Sequence, residues 1–392
     1  MSAAAAVLVA TIVLLGAYTY AGYPLLLVLL RRVRRRRPAY AAPAEWPPIS
    51  ITIPVHDEQD RIAATLESIL RVEYPADRRQ ILVVSDASTD RTEEIVRGFA
   101  DRGVELLALQ ERRGKTAAEN TARPYLRGEI VVNTDASVHI RPDAVERLVE
   151  RFADPTVGVA SGRDVSIARA GAENPGESRY VGYEMWVRGL ESDVSGIVGA
   201  SGCLYAIRAE LHRSVALPEA LSRDFAAALV ARLHGFRAVS VDAAICAVPR
   251  TGSLRSEYRR KVRTMTRGMQ TLGYFARLMN PLRYGIFGLF LVSHKLCRWL
   301  TAWCGVPLLA ALAILAVDEP LARWAIAAAL ATIAAGAVGL AAPALRHRVP
   351  VLGLAAYLLA GNLAALHALA RTLRGGADPV WEPTRRAVAA DG

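Results

Sequence analysis

Asp57, Asp86 and Asp135 each close on a short aliphatic run: Ile51-Thr52-Ile53-Pro54-Val55, Ile81-Leu82-Val83-Val84 and Ile130-Val131-Val132-Asn133. Runs of this length and composition, separated by helical patterns, predict buried strands of a parallel sheet. A ligand of such a sheet lies beyond the carboxyl ends of its strands. Carboxylates placed there can accept hydrogen bonds from a ligand, or hold a divalent cation against a phosphate. Helix capping competes with this reading for Asp86, Asp90 and Asp135, because aspartate after a strand is a common N-cap.

The elements that must position these residues follow from the same patterns. Asp60 to Arg71, Glu93 to Ala100 and Thr116 to Tyr125 have helical apolar spacing, and Val104 to Leu109 reads as a further strand. Strand and helix alternate from Pro47 to about Arg250, which predicts an α/β fold with a mostly parallel, doubly wound sheet.

The flanks differ in composition. Hydrophobic residues make up 53% of the 392, and the net charge is +11. Ala3 to Leu30 is an unbroken apolar stretch, longer than the about 20 residues needed to span a bilayer. A cleaved signal peptide is disfavoured because the charges follow the run. The arginines that follow it, Arg31, Arg32 and Arg34 to Arg37, put that end in the cytoplasm. Ser253 to Asn280 is basic and amphipathic, as an interfacial segment would be. Tyr284 to Leu296, with His294 and Lys295, reads as interfacial or as the start of a tilted helix. Trp299 to Val317, Leu321 to Leu340 and Val351 to Leu369 are each near spanning length. Three crossings would leave Arg371 and Arg374 outside, against the positive-inside rule. Both basic clusters adjoin apolar segments, which points to a membrane surface and away from nucleic acid. The four cysteines, Cys203, Cys246, Cys297 and Cys304, have neither metal-ligand nor redox spacing. The expected organisation is therefore residues 1–38 as a membrane helix with a basic flank, 48–250 as the α/β domain, 251–296 as an interfacial region, 297–371 as about three membrane helices, and 372–392 as a basic tail.

Four blocks carry a family resemblance: Ile53-Pro54-Val55-His56-Asp57-Glu58, Val84-Ser85-Asp86-Ala87-Ser88-Thr89-Asp90-Arg91-Thr92, Gly114-Lys115-Thr116-Ala117-Ala118-Glu119-Asn120 and Asn133-Thr134-Asp135-Ala136-Ser137. In order and spacing they resemble the successive blocks of family 2 glycosyltransferases, over residues 48 to about 270. The flanking helices are similar to those of the bacterial exopolysaccharide and hyaluronan-synthase-like branch. The resemblance implies a GT-A fold (Rossmann-like) in a cytoplasmic domain flanked by transmembrane helices at the inner membrane. It also implies inverting transfer from a nucleotide-diphosphate sugar, a UDP-sugar first, to a saccharide or lipid-linked acceptor in cell-surface polysaccharide or glycolipid synthesis.

Residue roles follow from the resemblance. Asp86 reads the base, Asp57 and Glu58 wall the base and ribose, and Lys115 meets the ribose or phosphate. Asp135 is the ligand of a divalent cation, Mg or Mn, with Ser137 standing where the family's signature has a second carboxylate. Gly199, Ser201 and Gly202 form the acceptor-side loop, where glycine permits close backbone approach. Asp224, in Ser222-Arg223-Asp224-Phe225, is the general base, and Arg223 replaces the common Glu. Arg263 and Arg267 meet the diphosphate or lipid headgroups. In Thr264-Met265-Thr266-Arg267-Gly268 the arginine of the processive-synthase block remains, while its glutamine and tryptophan do not. Two other classes stay open: a nucleotidyltransferase, whose Gly-rich basic loop is absent after the first strand, and a non-catalytic membrane scaffold with a degenerate transferase domain.

Overall fold

Seven consecutive buried positions in β1 (Ile49–Val55) and six in β2 (Arg79–Ser85) mark strands covered on both faces. The computed structural model describes residues 2–34, 43–167, 175–249, 254–376 and 380. Arg35, Arg36 and Arg37 of the first arginine cluster, Ser253 at the start of the second basic stretch, and most of the expected 372–392 tail lie outside the described residues. One eight-stranded sheet has the order β3-β2-β1-β4-β7-β6-β8-β5. β3 (Val104–Ala108), β2, β1 and β4 (Ile130–Thr134) run parallel. The chain winds outward from β1 to β3, then returns to place β4 on the other side of β1. That reversal opens a crevice between the ends of β1 and β4.

Beyond β4 the sheet becomes mixed. β7 (Leu204–Arg208) runs antiparallel between β4 and β6 (Val157–Ile167), and β8 (Arg237–Pro249) runs parallel to β6. The two-residue β5 (His139–Ile140) closes the edge antiparallel to β8. The expected parallel sheet is thus the β1–β4 half.

Ile62, Thr65, Leu66 and Ile69 recur at helical spacing in α3 (Ile62–Leu70) and are its buried face. With α4 (Thr92–Arg97) and α6 (Ala144–Val149), α3 covers one face of the sheet. α5 (Lys115–Ala122), α8 (Ala209–Ser214) and α9 (Arg223–Leu233) cover the other. α9 is buried nearly all round, because its second side enters a further core. That core joins α2 (Tyr23–Arg34), α7 (Pro175–Val194), the end of α10 (Leu254–Tyr274) and the chain that follows, with Tyr23, Val187, Phe225 and Phe287 among its members.

α1 (Ser2–Ala17) continues through a π-helical turn into α2, and Ser2–Val33 is long and apolar enough to cross a membrane. So are α15 (Pro320–Ala341) and α17 (Pro350–Leu373). Between them and α10 lie α11 (Pro281–Tyr284), α12 (Ile286–Leu291), α13 (Cys297–Trp303) and α14 (Gly305–Leu315), with α16 (Pro343–Arg348) linking α15 to α17. The span expected from Trp299 begins earlier and is broken. Ile286–Trp303 and Gly305–Leu315 are long and apolar enough to cross a membrane only together, and they are bent by 48°. Pro307 explains the break, since its ring clashes with the carbonyl four residues back and cannot hydrogen-bond to it.

Candidate active site

The β1–α3 and β2–α4 loops are tied to each other. Asp57 has a left-handed backbone (φ 50°), and its carboxylate accepts the Thr89 N–H at 2.7 Å. The Glu58 N–H donates to Thr92 Oγ1 at 2.8 Å, and the Gln59 N–H donates to Asp90 at 3.0 Å. Burial pulls the Asp90 carboxyl up, but hydrogen bonds from Thr92 and Gln59 outweigh it and hold it below the usual range. Asp57 is about one-third exposed (35%) and faces outward. Glu58 is turned inward (2% exposed), with its carboxylate 3.1 Å from the Arg61 guanidinium. In this position it braces the β1–α3 loop.

Asp86 is also interior. Its two carboxylate oxygens accept the N–H groups of Arg113 (2.9 Å) and Gly114 (2.7 Å). Gly114 has φ 96°, a conformation that favours glycine, and α5 starts at the next residue. Asp86 therefore fixes the loop that delivers Lys115.

Four of the expected residues converge at the crevice. Lys115 Nζ donates to Asp135 Oδ1 at 2.5 Å and to the Gly202 carbonyl at 3.3 Å. Burial works against the Lys115 ammonium, but Asp135, Glu119 and Asp224 outweigh it and raise its pKa. Asp224, in the first turn of α9, accepts the Ser222 hydroxyl. Its Oδ2 lies 2.7 Å from the point a Gly202 Cβ would occupy, so a side chain there would displace the carboxylate. Lys115, Asp135, Gly202 and Asp224 thus come from α5, the end of β4, the loop before β7, and α9.

Glu119 belongs to the Gly114–Asn120 block but carries no expected role of its own. It lies one turn after Lys115 and is buried; burial raises its pKa, with Lys115 and Arg223 opposing. Arg223 Nε stands 3.4 Å from its carboxylate, and Arg223 Nη1 donates to Asn120 at 3.0 Å. The departure at Arg223 is answered by a counter-ion on α5. The i,i+4 spacing of Lys115 and Glu119 was the available signal.

The acceptor-side loop is held from below. The Ser201 N–H donates to Ser161 Oγ at 2.8 Å, and its hydroxyl donates to Asp164 at 2.5 Å. Arg188 of α7, which the sequence did not single out, donates to the same Ser161 oxygen at 2.6 Å. Gly199 lies against Phe225, whose Cδ2 would be 3.1 Å from a Cβ there. Arg267 ties α10 to the residues beside Lys115 and Asp224. Its Nη2 donates to Thr116 Oγ1 at 2.7 Å and to the carbonyls of Glu219 and Leu221, so it fastens the chain ahead of Asp224. Its expected contact was with a diphosphate or lipid headgroups. Arg263 is half-buried one turn earlier on α10. The space left by Gly268 is taken by the Trp299 indole, 3.3 Å from a built Cβ, so an aromatic absent from the sequence block is supplied from α13.

Among the described residues no three His, Cys, Asp or Glu side chains converge as a metal cage. Asp135 offers one carboxylate, a quarter exposed, with Ser137 two residues on. One carboxylate suits Mg or Mn ions that take most remaining ligands from a diphosphate and water.

The Glycosyl transferase family 2 profile matches residues 50–213. Over 122 residues the chain is 28% identical to a beta-monoglucosyldiacylglycerol synthase of Synechocystis sp.. Over 116 residues it is 31% identical to a poly-beta-1,6-N-acetyl-D-glucosamine synthase of Staphylococcus epidermidis. These stretches take in 30% and 29% of this chain, and little more than a quarter of those proteins' own length (26% and 28%). The structure is similar to that of mannosyltransferase PcManGT from Pyrobaculum calidifontis in complex with GDP-Man and Mn2+. The TM-score is 0.71 and the identity 26%, over 93% of this chain and 99% of that one. Profile, relatives and sheet agree that this chain carries a family 2 glycosyltransferase domain of GT-A fold.

Proposed function

We propose that the chain transfers a sugar from a nucleoside-diphosphate sugar to a saccharide or lipid-linked acceptor, with inversion, at the cytoplasmic face of a membrane. The observation that carries this reading is the meeting of Lys115, Asp135, Gly202 and Asp224 at the β1/β4 crevice. Asp224 accepts the proton of the acceptor hydroxyl as its oxygen attacks the anomeric carbon opposite the leaving diphosphate. Lys115 places fixed positive charge where negative charge grows on that diphosphate. Asp135, with Ser137, would hold a divalent ion, which when bound supplies further neutralisation of the leaving group. Asp57 lies on the open side of the crevice, suited to the nucleoside. Asp86 and Glu58 act beneath it, as anchors of the two loops. The PcManGT complex adds GDP-mannose to UDP-sugars as the donors to test first.

The cytoplasmic placement rests on the arginines after the first membrane helix. The wide relation to glycolipid and polysaccharide synthases supports an acceptor in the same chemical range. The test is nucleotide release by the purified full chain, with Mn2+, across a panel of UDP- and GDP-sugars. Release from one donor class, increased by a lipid or saccharide acceptor, is expected. No release from any donor would overturn the reading.

A further inference from the structure

We infer that Lys295 receives the phosphate of a lipid-borne acceptor; this rests on the proposed transferase reading and adds to it the chemical class of acceptor. Between α12 and α13 the chain forms a π-helical turn, Val292–Leu296. Such turns insert one extra residue in a helix, redirect the side chains around it, and recur at functional sites. Here the turn aims His294 and Lys295 at the catalytic domain. The His294 ring is buried, 2.6 Å from Glu191 and 2.7 Å from Glu184 of α7. Tyr23 of α2 donates to Glu191 at 2.5 Å, and Arg298 donates to Glu184. The turn is therefore fixed from three elements, and Lys295 with it.

The Lys295 ammonium has no such commitment. Among the described residues no hydrogen-bond acceptor meets it. It lies 5.4 Å from the centroid of the Phe225 ring. Of the carboxylates that act on it, Glu184 is engaged by His294 and Arg298, and Glu191 through Oε1 by His294 and Tyr23, its Oε2 remaining without a hydrogen bond, while Arg188 and Arg298 add positive charge. Its Cε is 3.8 Å from a Cβ built on Gly199. Phe225 follows the proposed base, and the Gly199 loop leads to Gly202 against Asp224. A group bound to Lys295 thus lies on the acceptor side of that base. The lysine also belongs to an apolar helix beside the first membrane span, where Tyr18 and Ser293 hydroxyls meet at 2.6 Å. A neutral sugar gains little from an ammonium held there. A phosphate monoester on a lipid brings both the anion and the apolar anchor, and lysine binds phosphate as a point charge.

The test uses the purified full chain in neutral detergent, and reads binding of farnesyl phosphate, farnesol and inorganic phosphate by thermal shift. Wild type is expected to bind farnesyl phosphate at least about tenfold more tightly than either control. Lys295→Met loses that preference and Lys295→Arg keeps it, both with unchanged melting in the absence of ligand. Equal binding of farnesyl phosphate and farnesol by wild type, or a preference that survives in Lys295→Met, would overturn the assignment. Equal binding of inorganic phosphate would overturn its lipid source. Binding of UDP and GDP with Mn2+, measured on the same samples, reads the donor assignment separately, so the two can fail independently.

Discussion

The Lys115 ammonium stands 2.5 Å from Asp135 Oδ1, on the carboxylate that a divalent ion would use. A cation already occupies part of that carboxylate's coordination space. With its pKa raised, Lys115 stays protonated through the neutral range, so a metal arriving without nucleotide must compete with a permanent charge. Lys115→Met is expected to tighten Mn2+ binding by the nucleotide-free protein by about tenfold, while lowering transfer about 10²-fold through loss of charge at the diphosphate. Between about pH 6 and about pH 9 the wild-type Mn2+ affinity should carry no step from this lysine. Calorimetry reads both; equal Mn2+ affinity in the two proteins would show that Lys115 does not compete.

Asp224→Asn removes proton acceptance and keeps the shape of the α9 start. Transfer should fall by about 10²- to 10⁴-fold, with nucleotide binding nearly unchanged. Full activity in this variant would remove Asp224 from the chemistry.

Gly202→Ala would put a methyl carbon 2.7 Å from Asp224 Oδ2. The carboxylate must then move. A displacement near 1 Å at the reacting centre costs about 10²-fold in rate. The expected signature is a lower kcat with little change in donor KM and a melting temperature near wild type. A variant as active as wild type would mean that the Gly202 contact does not set the position of the base.

Asp154 and the nearly buried Arg237 pair at 2.6 Å on the far side of the sheet from the crevice loops. Burial pulls the Asp154 carboxyl up, but hydrogen bonds from Thr156 and Arg237 outweigh it and leave it low. A carboxyl depressed on folding stabilises above its unfolded pKa, about 3.9, and loses that contribution as pH falls through its folded value. Asp154→Asn should cost about 2 kcal/mol near neutrality, and the gap to wild type should close below about pH 4. Chemical denaturation at several pH values checks this; a gap constant with pH would assign the loss to shape instead of charge.

The first half of the sheet was legible in the sequence because each strand is a local event. Ile49 to Val55 and Ile130 to Thr134 are apolar runs that cover themselves by neighbouring helices. β6 and β8 read less clearly, since each depends on a partner some eighty residues away. The order of Asp57, Asp86, Asp135 and Asp224 was also legible, but the direction of each side chain was not. Asp86 points inward because the Arg113 and Gly114 N–H groups need an acceptor, and Glu58 because it pairs with the Arg61 guanidinium. The pairing of Glu119 with Arg223 joins positions more than a hundred residues apart, which spacing alone cannot show. By sequence His294 and Lys295 belong to a short segment that reads as interfacial or as the start of a tilted helix. The π-helical turn that aims them at the catalytic domain leaves no periodic trace in so short a segment.

Phe225, the residue after the proposed base, shares one core with Tyr23 and Leu27 of α2 and with Phe287 and Phe290 of the segment after α10. The enzyme consequently has no detachable head. Cutting at either flank would leave one side of α9 bare of its apolar cover, next to Asp224 itself. The apolar cover of α9 beside Asp224 is thus supplied by segments from both flanks of the α/β domain.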